Sequence, residues 1–166
     1  GHGRLSIIPA VAKSCDVFFY QLGLAVGAEK LSYYAGLFGL GKKTGISLYP
    51  EEKGMVPNPR WKLKRFGRRW YSGDTVNMSI GQGYLEVTPL QLAKLISLVA
   101  NRGKIMKPLL VKRIMDNKGN IIEDFSPVTL SQIDLSSETW DTIQQGVEEA
   151  VILGTSQIVK FRTLKV

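Results

Sequence analysis

Ser14 and Asp16, two positions apart, carry a hydroxyl and a carboxylate that could do chemistry together if they shared a cleft. A hydroxyl donates and accepts a hydrogen bond at once, so a serine can pass a proton along. A carboxylate near a cationic partner favours that partner's charged form. On a regular helix, positions 14 and 16 would point roughly 200° apart and could not share a cleft. They can work together only at an irregular junction between two helices. Pro9, upstream, fits a short first helix, because its missing N–H falls among the donors left unpaired at a helix start. Asp16 fits a capping role for a second helix starting at Val17. A bland reading stands beside the catalytic one, in which Ser14 or Asp16 only caps a helix.

The other reactive residue types narrow the field. His2 is the only histidine and lies at the extreme terminus, which argues against a Ser-His-Asp triad. Cys15 is the only cysteine, so an internal disulfide and a cysteine-rich metal site are excluded. No spacing of metal ligands or of cofactor-binding residues is evident. Gly81-Gln82-Gly83 could cradle a phosphate if it opened a helix. It lacks the preceding strand and third glycine of a dinucleotide site, and a tight structural turn accounts for it.

The net charge is +8, and much of the excess sits in Arg60, Lys62, Lys64, Arg65, Arg68 and Arg69, interleaved with Trp61, Phe66 and Trp70. Three readings fit this stretch: a solvated loop pinned by its tryptophans, a surface for anionic membrane or cell wall, and a nucleic-acid surface. No nucleic-acid-binding signature accompanies it, so no nucleic-acid partner is expected.

The elements that must position these residues come from composition and periodicity. With 166 residues, 44% of them hydrophobic and 22% charged, the chain has the makings of one ordinary globular domain. The longest apolar run, residues 17–28, is interrupted by Gln21 and falls short of the roughly 18–20 residues of a membrane span. It reads as a buried helix stopped by Gly27. A third helix is expected over 30–38, closed by Gly39 and Gly41. Residues 42–87 read as loop-rich, broken at Pro50, Gly54, Pro57 and Pro59. Thr88-Pro89-Leu90-Gln91 is a capping box with proline at the first helical position, and Leu92, Leu95, Ile96 and Val99 form the apolar face behind it, up to Gly103. Residues 108–115 and 120–125 read as a hairpin across Asp116-Asn117-Lys118-Gly119. Ser136 or Ser137 caps a helix whose Trp140, Ile143, Val147 and Val151 recur at helical spacing. Residues 156–166 read as a strand. The order implies an α+β fold with helices packed on an antiparallel sheet.

Two stretches together resemble a known family. Gly73-Asp74-Thr75-Val76-Asn77-Met78-Ser79-Ile80-Gly81-Gln82-Gly83, followed by Val87-Thr88-Pro89-Leu90-Gln91-Leu92, and the earlier Ser14-Cys15-Asp16-Val17-Phe18-Phe19-Tyr20-Gln21-Leu22 are similar to the transpeptidase domain of class B penicillin-binding proteins of the elongation type, penicillin-binding protein 2. Such enzymes carry a serine nucleophile in S-x-x-K, a second element reading S-x-N or similar, and a third reading K-T-G. Ser14-Cys15-Asp16 resembles the second element. Lys43-Thr44-Gly45 matches the third by its letters, but it follows a helix instead of lying on a sheet edge and is expected to be a decoy. The following Ile46-Ser47-Leu48-Tyr49-Pro50-Glu51 resembles an ordinary connecting segment of the family. Gly154-Thr155-Ser156 and Phe161-Arg162-Thr163-Leu164-Lys165-Val166 resemble the approach to the true K-T-G strand. No S-x-x-K tetrad occurs in the 166 residues.

The resemblance implies that residues 1–166 form one partial transpeptidase domain of the penicillin-binding-protein/β-lactamase-like fold, truncated at both ends. It implies catalytic roles for Ser14, which would hydrogen-bond the S-x-x-K lysine and relay a proton, and for Asp16, which would anchor that lysine or meet the donor peptide's amide. The intact protein would cross-link peptidoglycan stem peptides through a serine acyl-enzyme, bind β-lactams, use no metal or other cofactor, and work with a glycan-polymerising membrane partner. It would be anchored in the bacterial inner membrane and face the periplasm, with no anchor in this segment. The segment alone would be inactive and would self-associate through apolar surface left bare by the cut. The alternatives are a penicillin-sensing or β-lactamase-like serine hydrolase, and a non-catalytic basic module binding anionic surfaces.

Overall fold

The computed structural model describes residues 2–159. In chain order the elements are α1 (Ile7–Ala12), α2 (Asp16–Val26), α3 (Ala28–Leu37), α4 (Pro59–Phe66), α5 (Ser72–Ser79), α6 (Pro89–Ala100), β1 (Lys104–Met106), β2 (Arg113–Met115), β3 (Ile121–Asp124), β4 (Thr129–Gln132) and α7 (Ser137–Ile152), followed by a 3₁₀ turn at Gln157–Val159. The fold is α+β, as the sequence implies. These elements form two compact units, one from the described parts of Gly1–Leu31, Asn58–Gly83 and Leu135–Val166, the other from Ser32–Pro57 and Tyr84–Asp134.

The first unit is helical and is built by two close helix pairings. Gly146 of α7 lets α1 approach, since a Cβ there would lie 3.1 Å from Cβ of Val11. Beyond α7 the Thr155 amide donates to the Ala12 carbonyl at 3.2 Å, and Gly154 sits so close to that carbonyl that any side chain would collide with it. Trp140, only 3% exposed, and the buried Ala10 and Ala12 belong to the core of this unit. In the second pairing α2 packs on α5. A Cβ at Gly23 would strike the Ser79 side chain, so this contact requires glycine.

The second unit combines α6 with two antiparallel strand pairs. Strand β1 pairs with β4, Ile105 opposite Ser131, and β2 pairs with β3, Ile114 opposite Glu123. The β2–β3 hairpin turns through Asp116, whose carboxylate accepts from the Lys118 and Asn120 amides, both at 2.8 Å. Leu98, Ile105 and Ile133 are buried in this unit. The capping box is present at α6: the Gln91 amide donates to Thr88 Oγ1 at 3.2 Å, and the Thr88 amide donates to Gln91 Oε1 at 2.9 Å. Ser136 caps α7 by accepting from the Thr139 amide.

Several expectations need correction. Helix α1 starts at Ile7, and Pro9 takes its third position, still within the turn whose amides lack carbonyl partners. The span 42–87, read as loop-rich with no helix named in it, contains α4 and α5. Asn58 caps α4 by accepting from the Trp61 amide at 2.8 Å, with Pro59 at the first helical position. The expected apolar face of α6 is turned partly to solvent. Leu92 is 48% and Ile96 54% exposed, whereas Gln91 and Leu98 are each 2% exposed. Residues 156–159 form a turn and a 3₁₀ helix instead of the start of a strand. The remainder of that expected strand, including Phe161 to Val166, lies outside the described residues, as does Gly1.

Candidate acyl-transfer groove

The chain leaves α1 through a tight C-terminal turn. The Ser14 amide donates to the Val11 carbonyl and the Cys15 amide to the Ala10 carbonyl, both at 3.0 Å. Closing this turn puts Ser14 at φ +48, in the left-handed region that only glycine and a few polar residues enter readily. Cys15 then adopts an extended conformation as N-cap of α2 and makes no capping bond through its side chain. Asp16 is therefore the first residue of the helix, not its cap, which corrects the capping role expected of it. The free amides of a first turn favour an acidic residue in that place.

The irregular junction needed for Ser14 and Asp16 to share a cleft is thus present. Both residues are exposed, and both line one groove of about 770 Å³ in the first unit, with His2, Arg4, Phe18 and Gln21 among its other walls. Neither Ser14 Oγ nor the Asp16 carboxylate has a hydrogen-bonding partner among the described residues. Gln21 was legible only indirectly. It interrupts an apolar helix, and a polar residue in such a place signals a wall that meets something polar. Arg4 gave no signal in the sequence.

Lys43-Thr44-Gly45 behaves differently. It lies in a loop of the second unit and belongs to no strand. Thr44 is 2% exposed. Its hydroxyl donates to Glu51 Oε1 at 2.6 Å, its amide donates to the same oxygen at 2.5 Å, and the Gly45 amide reaches Oε2 at 3.3 Å. The Thr44 hydroxyl, followed by these amides, holds the Glu51 carboxyl below its ordinary range. Lys94 Nζ donates to the Thr44 carbonyl at 3.3 Å, and burial pushes that ammonium's pKa down while Glu51 opposes the shift. Gln91 completes the network, its Nε2 donating to the carbonyls of Lys42 and Lys53, each at 2.8 Å. This triplet is a structural clamp with its hydroxyl already engaged.

The basic stretch is a helix and a following turn instead of a loop. Lys62, 5% exposed, turns inward and donates to Asp74 Oδ2 at 2.6 Å, and the same oxygen accepts from the Tyr71 amide at 2.7 Å. Trp70 is fixed by its Nε1–H, which donates to Thr75 Oγ1 at 2.8 Å, and Trp61 meets Phe66 edge-on. Arg60, Lys64, Arg65, Arg68 and Arg69 remain exposed. Among the described residues there is no cluster of side chains able to hold a metal ion, and no helix is long and apolar enough to cross a membrane.

The combination of helices with antiparallel strand pairs is shared with solved penicillin-binding-protein structures. The family model for the penicillin-binding protein transpeptidase domain matches residues 1–164, and the chain belongs to that family. It is similar to the peptidoglycan D,D-transpeptidase MrdA of Escherichia coli K12, 37% identical over 147 residues, which are 89% of this chain and 23% of the relative. Among solved structures it resembles penicillin-binding protein 2 of Helicobacter pylori in its complex with MreC, at 34% identity and a TM-score of 0.73, covering 90% of this chain and 26% of that one. It also resembles penicillin-binding protein 2 of Pseudomonas aeruginosa in complex with WCK 5153, at 34% identity and a TM-score of 0.76, covering 89% and 32%. The chain spans about a quarter of the length of the curated relatives it matches.

Proposed function

We propose that this chain is the middle section of a peptidoglycan D,D-transpeptidase and that Ser14 and Asp16 form one wall of its acyl-transfer groove. Family membership and the named relatives support the reaction class. The observation that carries the site is that both side chains line one groove at the α1–α2 junction, with no hydrogen-bonding partner for their polar atoms among the described residues. Polar groups already bonded inside a fold have little left for a substrate, whereas free ones at a groove wall can bond to it.

In the intact protein a serine of S-x-x-K attacks the carbonyl between the two terminal D-alanines of a stem peptide. The C–N bond breaks, D-alanine departs with a proton, and an acyl-enzyme ester remains. The amine of a neighbouring stem then attacks the ester, forming the cross-link and returning the proton to the serine. Ser14 passes a proton between the S-x-x-K lysine and the departing amine. Asp16 holds that lysine, or the donor peptide's amide, in register. A carboxylate so placed favours the charged lysine, which suits proton delivery to the leaving group better than proton abstraction. β-Lactams acylate the same nucleophile. The intact enzyme works at the outer face of the cytoplasmic membrane beside a glycan-polymerising partner.

Fluorescent-penicillin labelling tests this reading. In the intact protein, Ser14→Ala slows acylation by about a hundredfold or more, in the range of a lost proton-transfer group. An unchanged rate would refute the role. The 166-residue chain alone takes no covalent label, because it contains no S-x-x-K tetrad.

A further inference from the structure

A second concave surface of the first unit is left unused by the acyl-transfer reading. It is a groove of about 540 Å³, and its walls include Lys30, Pro59, Trp70, Tyr71 and Ser72, with Glu29 as the acidic residue among them. Two independent features meet at its edge, where the Arg69 guanidinium lies over the Tyr71 ring. The first is a pair of aromatic side chains held in place. Trp70 is fixed by its bond to Thr75, and the half-exposed Tyr71 ring lies 5.2 Å from Lys62 Nζ and 5.1 Å from the Arg69 guanidinium. The second is a run of mostly exposed cations. Residues 59–71 contain no acidic residue. The one buried cation, Lys62, is matched by Asp74, while Arg60, Lys64, Arg65, Arg68 and Arg69 are exposed and have no carboxylate partner among the described residues. The left-handed turn at Gly67, φ +65, ends α4 and leads through Arg68 and Arg69 directly into the two aromatic residues at the groove.

Aromatic side chains beside cations that lack a carboxylate partner among the described residues suit a ligand that carries both flat, weakly polar rings and carboxylates. A ring face offers an apolar platform with a polar edge, and guanidinium groups bind carboxylates through paired N–H donors. A lipid surface asks for something else, an apolar face free to insert. On α4 the exposed apolar side chains are Leu63 and Phe66, with Lys64 and Arg65 between them, which is too little for an inserting face.

We propose that this aromatic and basic surface at the α4–α5 turn holds an uncrosslinked peptidoglycan strand, sugar rings on Trp70 and Tyr71 and stem-peptide carboxylates on Arg68, Arg69 and Lys64. The proposal rests on the transpeptidase reading for the identity of the polymer, but it concerns a surface apart from the Ser14–Asp16 groove. The strand would be kept near the enzyme between cross-linking events, and its hold would weaken with salt, as exposed charge interactions do.

The test uses the intact protein, soluble uncrosslinked glycan strands bearing stem peptides, and the variant Arg68→Glu/Arg69→Glu, with Lys64→Glu as a second, independent exposed change. The double variant is expected to bind strands at least tenfold more weakly, and Lys64→Glu several-fold more weakly, while both acylate with fluorescent penicillin at the wild-type rate. Strands stripped of their peptides are expected to lose most of the affinity. Equal affinity in wild type and double variant, equal binding of stripped strands, or binding to phosphatidylglycerol vesicles in place of strands would each overturn the proposal. Wild-type protein that binds strands in this charge-dependent way but takes no penicillin would instead contradict the transpeptidase reading and leave the surface standing.

Discussion

Thr44 and Ser14 make the instructive comparison in this molecule. Each carries a hydroxyl within a triplet that matches a motif of the family. Thr44 is buried, its hydroxyl and amide both bonded to Glu51, with Gln91 and Lys94 tying the same loop to α6. Ser14 is exposed on a strained turn, and its hydroxyl meets nothing inside the described protein. The letters of a motif therefore carry less information than the fate of its polar atoms. A hydroxyl bonded within the fold stabilises the fold, whereas one exposed at a groove wall is available to a ligand.

Substitutions can break or sharpen this contrast. The largest effect on stability is expected at Gln91, whose side chain serves three backbone groups from a fully buried position. Gln91→Leu leaves the Lys42 and Lys53 carbonyls without a donor, and unfolding in urea should show a loss of about 3 kcal/mol. Thr44→Val keeps the shape and removes the hydroxyl, for an expected loss of about 1.5 kcal/mol in the same assay. Ser14→Gly should act in the opposite direction. Relief of the positive φ raises stability by about 1 kcal/mol, while penicillin acylation by the intact protein falls.

The smallest effect is one of pH. The Glu51 carboxyl is held below its ordinary range in the folded state, first by the Thr44 hydroxyl, so it gives up protons on folding. Its contribution is present above the ordinary carboxylate value of 4.5 and is lost as pH falls from there through the lowered folded value. Glu51→Gln should flatten that acid limb of the stability–pH curve. A limb of undiminished slope would show that the clamp is not linked to pH.

How far the sequence could be read follows from the same contrast. Ser14 and Asp16 stand out as site candidates because the triplet and its aromatic-rich helix start occur together. The decoy nature of Lys43-Thr44-Gly45 was legible from its place after a helix. The start of α6 was legible because Thr88, Pro89 and Gln91 form a complete capping box. The start of α4 at Asn58-Pro59 is harder to read: Asn58 caps it and Pro59 takes the first position, but no reciprocal bond completes a capping box, and a stretch dense in prolines and cations looks like loop. Helix α5 was hidden for a different reason. Its residues Ser72–Ser79 have modest helix propensity, and it stands on the Asp74–Lys62 pair and the close approach to Gly23, both tertiary. The outward turn of Leu92 and Ile96 could not be read either, because periodicity shows that a face exists and not what covers it.

The most direct test measures two quantities on two variants of the intact protein: unfolding free energy and the rate of penicillin acylation, for Ser14→Ala and Thr44→Val. The expected result is crossed. Ser14→Ala loses about a hundredfold or more in acylation with stability nearly unchanged, and Thr44→Val loses stability with acylation nearly unchanged. Acylation that survives the loss of the Ser14 hydroxyl, or that falls with the Thr44 hydroxyl while the fold stays intact, would contradict the assignment of the groove.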